Sequence, residues 1–347
     1  MFLKIFSNFC DFFSFFSLPL HFLSKRCKIK KSMKKSFIIL LLALCCAPLL
    51  AFTPISLVTF KSTLTYIQGQ DTQSYVVVRE LSPFSINKYE TTYALWYEVR
   101  TQAEKYGYNF ANPGQPGSMG RRAAIPNEEN SNQPVTMISW YDAIVWCNAL
   151  SELQNRTPCY LYEGKVLRDS SDTASCDLAE CIWDNDGFRL PSESEWEYAS
   201  RRTRRGFQTG NSVSGTTGTG DPDEELLYSW ISANASQTHT VGTAGVPFDP
   251  ENISLPGTGN PNSAGIYDMS GNVLEFCWDW YGAYSEEEPY GKNVGYERIS
   301  RGGSFSEYTL FCYCGDRYSF DPNECYNYFG FRIACSVRES VPEQAEE

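Results

Sequence analysis

The spacing of hydrophobic and polar positions predicts little regular structure in this chain and only three good helices. The first is a run over residues 93–106, in which apolar side chains recur at helical spacing. Thr92 precedes this run and Gly107 follows it, and these are residue types that start and stop helices. A helix is therefore predicted between these two positions.

The other two helices are predicted from capping boxes, in which a serine and an acidic residue three positions later satisfy backbone N–H groups reciprocally. Ser139 and Asp142 open a run that continues through Leu153, with apolar residues on one face. Ser192 and Glu195 open a shorter run. Both segments are predicted to be helical from the residue after the serine.

The rest of the chain shows short β-type segments separated by long polar loops. Residues 109–133, 204–226 and 243–264 are rich in Gly, Pro, Asn, Ser and Thr, which form turns without an apolar repeat. Such loops argue against a simple packed sheet, or they mark a fold whose loops carry the function. With no internal repeat and no dividing linker, the pattern predicts a single α+β domain over residues 52–337, loop-rich and low in regular secondary structure, before an acidic tail over residues 338–347.

The first 51 residues are predicted to lie outside that domain. Lys34 and Lys35 precede an apolar run over residues 36–44 that is too short to span a bilayer comfortably, and small residues follow it up to Ala51. This is the layout of a secretory signal. We therefore expect an exported protein, located in the periplasm, at the cell surface or in the medium.

Two points about this segment stay open from the sequence. Met33 is the natural start of the signal, which makes residues 1–32 either an upstream start-site artefact or an extended basic region. Cleavage after Ala51 competes with a lipid anchor at Cys45 or Cys46. Such an anchor is the single route by which we expect contact with a membrane.

Charge limits the classes of partner. The 347-residue chain carries a net charge of −12 with 42% hydrophobic residues, so it can bury a substantial core. Residues 1–51 hold eight of the 29 Lys and Arg residues and one of the 41 acidic residues, so the remainder has a net charge of −19. That charge opposes nucleic-acid phosphates and anionic lipids, and a nucleic-acid partner is not expected.

Nine cysteines follow residue 51. In an exported protein they are expected to be largely disulfide-bonded, and their odd number leaves at least one thiol free or engaged elsewhere. The sequence does not give the pairing. The nine are Cys147, Cys159, Cys176, Cys181, Cys277, Cys312, Cys314, Cys325 and Cys335.

Five blocks, in order, resemble the formylglycine-generating enzymes, also called sulfatase-modifying factors. The most diagnostic block is GFRLPSESEWEYA over residues 187–199, and the last runs from RGGS at Arg301 to GFR at Arg332. The others are residues 84–92, 133–143 and 265–276. The resemblance implies a single loop-rich α+β domain related to C-type lectins, which agrees with the hydrophobic pattern.

The same resemblance implies a redox site in the last block. In that family two cysteines bind copper and convert a sulfatase cysteine to formylglycine. Cys312 matches the second cysteine and Ser304 matches a serine beside the active site, whereas Glu307 occupies the position of the first cysteine. A carboxylate is a hard ligand that binds Cu(I) poorly, so one of the two required thiols is missing.

Cys314 is the other cysteine that bears on this site. It is two residues from Cys312, so on a strand the two side chains would face the same side. Disulfide bonding to other cysteines, simple buried thiols, and a soft-metal site for Cu(I) stay open as alternatives.

A calcium site is predicted between residues 268 and 275. Asp268, Asn272 and Glu275 supply side-chain oxygens within eight residues, and a hard cation such as Ca²⁺ takes six to eight oxygen ligands. The resemblance implies calcium at Asp268, Gly271, Val273 and Glu275. The alternative is that these acidic residues are solvated near a turn.

Other chemistries fit the sequence less well. His239 is the only histidine after residue 51, which excludes polyhistidine metal sites. Arg189 and Arg332 each adjoin an aromatic residue and are predicted to brace the core through hydrogen bonds.

Two hypotheses remain. The first is a formylglycine-generating oxidase in which Cys314 or Glu307 replaces the absent thiol. The second is a non-catalytic module that binds a protein or peptide partner. A sulfatase is one such partner. Residues 305–328 are dense in Phe, Tyr, Ser, Asp and Asn, a composition that suits a recognition surface and resembles the variable regions of retroelement-diversified lectin-like proteins.

Overall fold

A computed structural model describes residues 53–337, except 70–75, 205, 209, 248, 250–253, 289 and 293. The predicted signal, the lipid-anchor cysteines and the tail over residues 338–347 lie outside the described residues. In the described part of the chain, no helix combines the length and the apolar character needed to cross a bilayer.

The three predicted helices are confirmed, and two single-turn helices were not predicted. Short 3₁₀ turns also occur at Glu104–Tyr106 and Thr309–Phe311. The α-helices among the described residues are α1 (Tyr93–Ala103), α2 (Trp140–Leu153), α3 (Thr173–Asp177), α4 (Glu193–Ser200) and α5 (Pro222–Glu225).

The helix ends form as their sequences predict. Thr92 accepts a hydrogen bond from the Leu95 N–H at the start of α1, and the following 3₁₀ turn ends at Gly107, whose φ is 86°. The capping boxes at Ser139 and Ser192 are both present. Local chemistry therefore fixes where these helices begin and end.

Strands are short and numerous in the described chain. They are β1 (Leu57–Phe60), β2 (Leu64–Gln68), β3 (Val77–Leu81), β4 (Phe84–Asn87), β5 (Gln115–Pro116), β6 (Val135–Thr136), β7 (Tyr160–Tyr162), β8 (Lys165–Val166), β9 (Glu180–Cys181), β10 (Arg202–Thr203), β11 (Gly206–Phe207), β12 (Leu274–Trp280), β13 (Arg298–Arg301), β14 (Arg317–Phe320), β15 (Phe329–Gly330) and β16 (Ala334–Ser336).

Two sheets position the site. The larger has the order β14-β13-β12-β15, in which β13 is antiparallel to both neighbours and β15 runs parallel to β12. The second has the order β1-β4-β16 and is antiparallel, so it joins the two ends of the domain. The remaining pairs are the hairpin β2-β3, the pairs β5-β6 and β10-β11, and the small sheet β8-β7-β9.

The core is built largely from aromatic side chains. Trp96 of α1 stacks on Trp146 of α2 with ring centroids 5.8 Å apart, and both are fully buried. A second buried cluster surrounds Trp196 of α4. These packed helices and the β12-β13 sheet form the rigid support of the loops discussed below.

Arginine–carboxylate pairs brace the same core. Arg189 donates to Glu195 at 2.6 and 2.7 Å, and both side chains are buried. Arg332 donates to both oxygens of Glu275 at 2.6 Å. The prediction that these arginines brace the core is confirmed, and Arg301 forms a similar buried pair with Glu193 at 3.1 Å.

Candidate functional site

The predicted catalytic residues lie together in the connection between β13 and β14. This segment leaves β13 at Arg301, turns through Gly302 and Gly303, and passes Ser304 before reaching Cys312 at the end of the 3₁₀ turn. The large sheet holds both ends of the connection. The sheet therefore fixes the positions at which this connection begins and ends.

The two glycines are required by the shape of this turn. Gly302 has φ 92° and Gly303 has φ 69°, values that residues with a Cβ rarely adopt. A Cβ on Gly303 would overlap the Cys312 sulfur. The glycines therefore let the backbone pass directly against the thiol, as the sequence predicts.

Cys312 is fully buried in this turn. Its Sγ lies 3.9 Å from the Ser304 carbonyl oxygen. Burial is the main cause that raises the pKa of the Cys312 thiol, and the nearby Glu307 carboxylate raises it further. Because metals and oxidants react with the thiolate, this environment disfavours the reactive form.

Glu307 occupies the space beside Cys312 and has a structural contact of its own. Its carboxylate accepts a hydrogen bond from the Ser304 N–H. Its backbone carbonyl accepts one from Ser232 at 2.9 Å. The structure thus brings Ser304, Glu307 and Cys312 together as the resemblance implies, but the second sulfur of a copper pair is replaced by a hydrogen-bonded carboxylate.

Cys314 does not share the side of the chain that Cys312 occupies. The expectation for two cysteines on a strand does not apply, because both lie in turns that precede β14. The Cys314 sulfur lies 3.6 Å from the Ser200 carbonyl oxygen at the end of α4. The two sulfurs therefore contact different backbone carbonyls, and the soft-metal site stays a prediction.

All nine cysteines in the described part of the chain are free thiols. The predicted disulfide bonding is therefore not shown by the structure. Most of these cysteines are buried, among them Cys147, Cys159 and Cys277, where they pack as small apolar side chains.

The predicted calcium ligands are engaged in a hydrogen-bond network. Both oxygens of Glu275 receive hydrogen bonds from Arg332, and Trp196 donates to one of them at 2.9 Å. The Asn272 side-chain oxygen accepts from the His239 N–H at 2.9 Å. The side-chain oxygens of Glu275 and Asn272 therefore already accept hydrogen bonds from protein donors, and the calcium site stays a prediction.

Asp268 differs from Glu275 because it has no arginine of its own. One oxygen accepts from the Gly242 N–H, while the other, Oδ1, is buried and has no hydrogen-bond partner among the described residues. Burial raises the pKa of the Asp268 carboxyl to about 6. Among the predicted calcium ligands, Asp268 is therefore the one whose Oδ1 still lacks a partner, which a cation or a proton would supply.

Glu90 joins this network although sequence analysis did not single it out. It accepts from the Asn272 side-chain amide at 2.6 Å and from the Val273 N–H at 3.1 Å. Burial, then the carboxylates of Asp268 and Glu275, raises its pKa well above the usual value. Its place in the block over residues 84–92 was the available signal, but a contact across more than 180 positions cannot be deduced from spacing.

His239 lies at the edge of this network. It is 8% exposed and its ring stacks on Trp230 with centroids 3.8 Å apart. Burial lowers the pKa of the imidazole to about 4, so it is neutral at physiological pH. Within the described residues no three His, Cys, Asp or Glu side chains are grouped so as to hold a metal ion.

Beside the candidate site the chain presents aromatic side chains to solvent. Tyr308, Leu310 and Phe311 are 71%, 54% and 42% exposed, and Tyr326 is 42% exposed. The Tyr318 hydroxyl donates to the Phe311 carbonyl at 2.8 Å, and Tyr326 stacks on Tyr328 at 5.2 Å. We call these six residues the aromatic surface; five are aromatic, and four are exposed while Tyr318 and Tyr328 are half-buried.

Comparisons with known proteins agree with this geometry. Chaperone protein LppX of Paenibacillus barcinonensis is 32% identical over 231 residues, which cover 65% of this chain and 70% of that protein. The formylglycine-generating enzyme of Mus musculus is 27% identical over 248 residues, covering 67% of this chain. The chain spans 59% of the length of that enzyme.

A solved structure shows the same fold. Treponema denticola variable protein 1 superposes with a TM-score of 0.63 and 29% identity, covering 81% of this chain and 95% of that chain. The sulfatase-modifying factor enzyme 1-like domain matches residues 59–337. This chain is therefore a member of the sulfatase-modifying factor family and folds as its single loop-rich α+β domain.

Proposed function

We propose that this domain is an exported binding module for a protein or peptide, and that it does not carry the oxidase chemistry of formylglycine-generating enzymes. The observation that carries the proposal is the contact of Glu307. Its carboxylate is hydrogen-bonded to the Ser304 N–H beside Cys312, where the oxidase needs a second thiol.

The chemistry of the site supports this. An oxidase of this kind needs two soft sulfur ligands for Cu(I), whereas Cys312 is a single buried thiol with a raised pKa. Cys314 points to the Ser200 carbonyl oxygen instead. Cys314 therefore does not supply the missing second sulfur unless the turn is rebuilt.

The aromatic surface supports the binding role. Large tyrosine and phenylalanine side chains supply rigid contact area at a small entropic cost. Four large apolar side chains, those of Tyr308, Leu310, Phe311 and Tyr326, are exposed in or just after the connection that holds Cys312, and exposed apolar side chains that lie together are typical of an interaction site. A sulfatase is one candidate partner, since the family acts on sulfatases.

A narrower form of the proposal concerns variability. Residues 305–328 resemble the variable regions of retroelement-diversified proteins, and the name of the Treponema denticola relative describes that protein as variable. This form predicts a near-identical template repeat in the DNA next to the gene that covers these codons. A genomic neighbourhood without such a repeat would remove the narrower form and leave the binding module.

Mass spectrometry of a sulfatase-type peptide tests the proposed function. A peptide containing Cys-x-Pro-x-Arg is incubated in air with the full chain and copper. We expect the peptide cysteine to remain unmodified, because the wild-type site lacks a two-sulfur copper pair.

Two variants make the result interpretable. Glu307→Cys restores a thiol beside Cys312 and controls for a folded, metal-competent scaffold, while Cys312→Ser removes the remaining thiol. Conversion of the peptide cysteine to an aldehyde by the wild type, abolished by Cys312→Ser, would establish the oxidase and overturn the proposal.

A further inference from the structure

Charge is distributed unevenly around the aromatic surface. Residues 305–328 hold four carboxylates, at positions 307, 316, 321 and 324, and one arginine, Arg317. Arg317 is turned into the core, where it donates to Glu193 at 2.7 Å and its side chain is 4% exposed. The solvent side of this segment is therefore acidic.

Glu307 is linked to both parts of the aromatic surface through short backbone connections. It directly precedes Tyr308, whose carbonyl accepts a hydrogen bond from the Phe311 N–H at 2.9 Å, and the Phe311 carbonyl receives the Tyr318 hydroxyl. On the other side, the Phe305 N–H donates to the Asn272 carbonyl at 3.0 Å, and the nearby Leu274 N–H donates to the Tyr328 carbonyl at 2.8 Å.

Burial and then Asp316 raise the pKa of the Tyr318 hydroxyl, and Glu307 raises it further. Glu307 also contributes, after burial and other neighbours, to the raised pKa of Tyr328. These electrostatic effects agree with the backbone connections, which place Glu307 in the neighbourhood of both tyrosines.

The contacts of Glu307 leave it suited to a second partner. Among the described residues a hydrogen bond to its carboxylate comes from Ser304 alone, and it goes to Oε2. The residue is partly exposed. One oxygen is therefore held in place by the backbone, and no described residue donates a hydrogen bond to the other.

One basic side chain lies at the edge of the aromatic surface. Arg122 is exposed, and its Nη2 lies 3.6 Å from the Cys325 sulfur beside Tyr326. It lies at the edge near Tyr326 and does not contact Glu307. The aromatic surface therefore includes a carboxylate that is not paired with this arginine and lies near tyrosine rings, which attract cations through their π faces.

We propose that the aromatic surface binds a polypeptide segment that presents a lysine or arginine side chain, with Glu307 as the carboxylate that receives the cation. This inference rests on the proposed binding function and names the chemistry of the partner. A cation held by a carboxylate and flanked by aromatic rings is a common anchor at protein interfaces. The substitution that removes the oxidase thiol would then also create the anchor.

Selection from a displayed library of random peptides on the immobilised full chain tests this. The selected peptides are sequenced, and their content of Lys and Arg is compared with that of the unselected library. The expected result is enrichment of Lys and Arg. The best peptide should bind about tenfold more weakly to Glu307→Gln, because one charge-assisted hydrogen bond is lost.

Matched variants separate the surface from the rest of the chain. Tyr308→Ala with Phe311→Ala should also weaken binding about tenfold or more. Glu80→Gln on β3 and Tyr106→Ala, both exposed and distant in sequence from this surface, should leave it unchanged. Thermal denaturation of each variant checks that the fold is retained.

The outcomes distinguish this inference from the proposed function. Peptides that depend on Tyr308 and Phe311 but are not enriched in Lys or Arg would overturn the cationic partner and keep the binding module. Peptides that are insensitive to all variants of the surface would overturn both. Self-association that Tyr308→Ala abolishes, seen by sedimentation, would assign the surface to a second copy and overturn the cationic segment.

Discussion

The buried arginines and the segment over residues 305–328 differ in how their charged side chains are paired. Arg189 and Arg332 each meet a carboxylate in the core, with distances of 2.6 to 2.7 Å. Glu307, in contrast, is partly exposed, and in the part of the chain that the structure describes its carboxylate accepts a hydrogen bond from the Ser304 N–H and not from an arginine. The core pairs reproduce the family's motifs, whereas the surface segment departs from them at the position on which the chemistry depends.

This difference separates what holds the fold from what gives the activity. Removing one partner of a buried pair leaves a charge without compensation, which is costly. A change at a partly exposed position such as Glu307 removes one hydrogen bond, to the Ser304 N–H, and costs less than breaking a buried ion pair. The scaffold can therefore be retained while its chemistry is replaced.

The largest effect is expected at the Arg332 pair. Arg332→Ala leaves the Glu275 carboxylate buried without its cation, and we expect a loss of about 3–5 kcal/mol in the free energy of unfolding. Urea denaturation followed by tryptophan fluorescence measures it. Arg100→Ala is the matched control, since its pair with Glu104 is partly exposed and should cost at most about 1 kcal/mol. Equal losses in the two variants would show that the buried pair does not brace the core.

The next largest effect concerns pH and Asp268. Its pKa is raised to about 6 in the folded state, against about 3.9 in an unfolded chain. Between these values the folded state holds a proton that the unfolded state releases, so stability falls as the pH rises from about 4 through 6, by about 3 kcal/mol in total.

Asp268→Asn removes this contribution and also the part of the raised Glu90 pKa that is due to Asp268, and both changes act in the same direction. The variant has no carboxyl to ionise at position 268. Its free energy of unfolding should therefore fall less than that of the wild type as the pH rises over the same window. Asp279, whose pKa is raised to about 7 by burial and by Glu193, is present in both proteins and cancels in the difference. Parallel stability profiles for the two proteins would contradict a raised pKa at Asp268.

A smaller effect is expected at the start of α4. Ser192 accepts a hydrogen bond from the Glu195 N–H, so Ser192→Ala should destabilise the protein by about 1 kcal/mol, as measured by denaturant titration. Ser192→Gly is the matched control and should cost only a few tenths of a kcal/mol. A loss below about 0.3 kcal/mol for the alanine variant would be against a capping role.

The smallest effect on stability is expected at the aromatic surface. Tyr308 is 71% exposed, so Tyr308→Ala should change the free energy of unfolding by less than about 0.5 kcal/mol. Thermal or chemical denaturation checks this. A loss above about 2 kcal/mol would mean that the ring supports the fold, and the contrast between core and surface would fail.

Features set by local chemistry could be predicted from the sequence. The caps at Thr92, Ser139 and Ser192 depend on a few neighbouring residues, and all three form. The single-turn helices α3 and α5 could not be predicted, because one turn is too short to show an apolar repeat.

Within the site, the sequence predicted which residues meet but not how they are oriented. It placed Ser304, Glu307 and Cys312 in one segment, and the structure brings them together. The direction of the Cys314 thiol depends on a turn, and the link between Glu90 and Asn272 depends on the tertiary fold. Spacing rules for strands do not extend to either case.

Copper affinity tests the central claim most directly, because the claim is that Glu307 has replaced a required thiol. Cu(I) is titrated against a chromophoric chelator for the wild type and for Glu307→Cys, and the Cu(I) bound by Cys312→Ser is subtracted as the background from other cysteines. The account predicts no additional Cu(I) for the wild type and one additional Cu(I) per chain for Glu307→Cys. One additional Cu(I) per wild-type chain, bound as tightly as in Glu307→Cys, would contradict it.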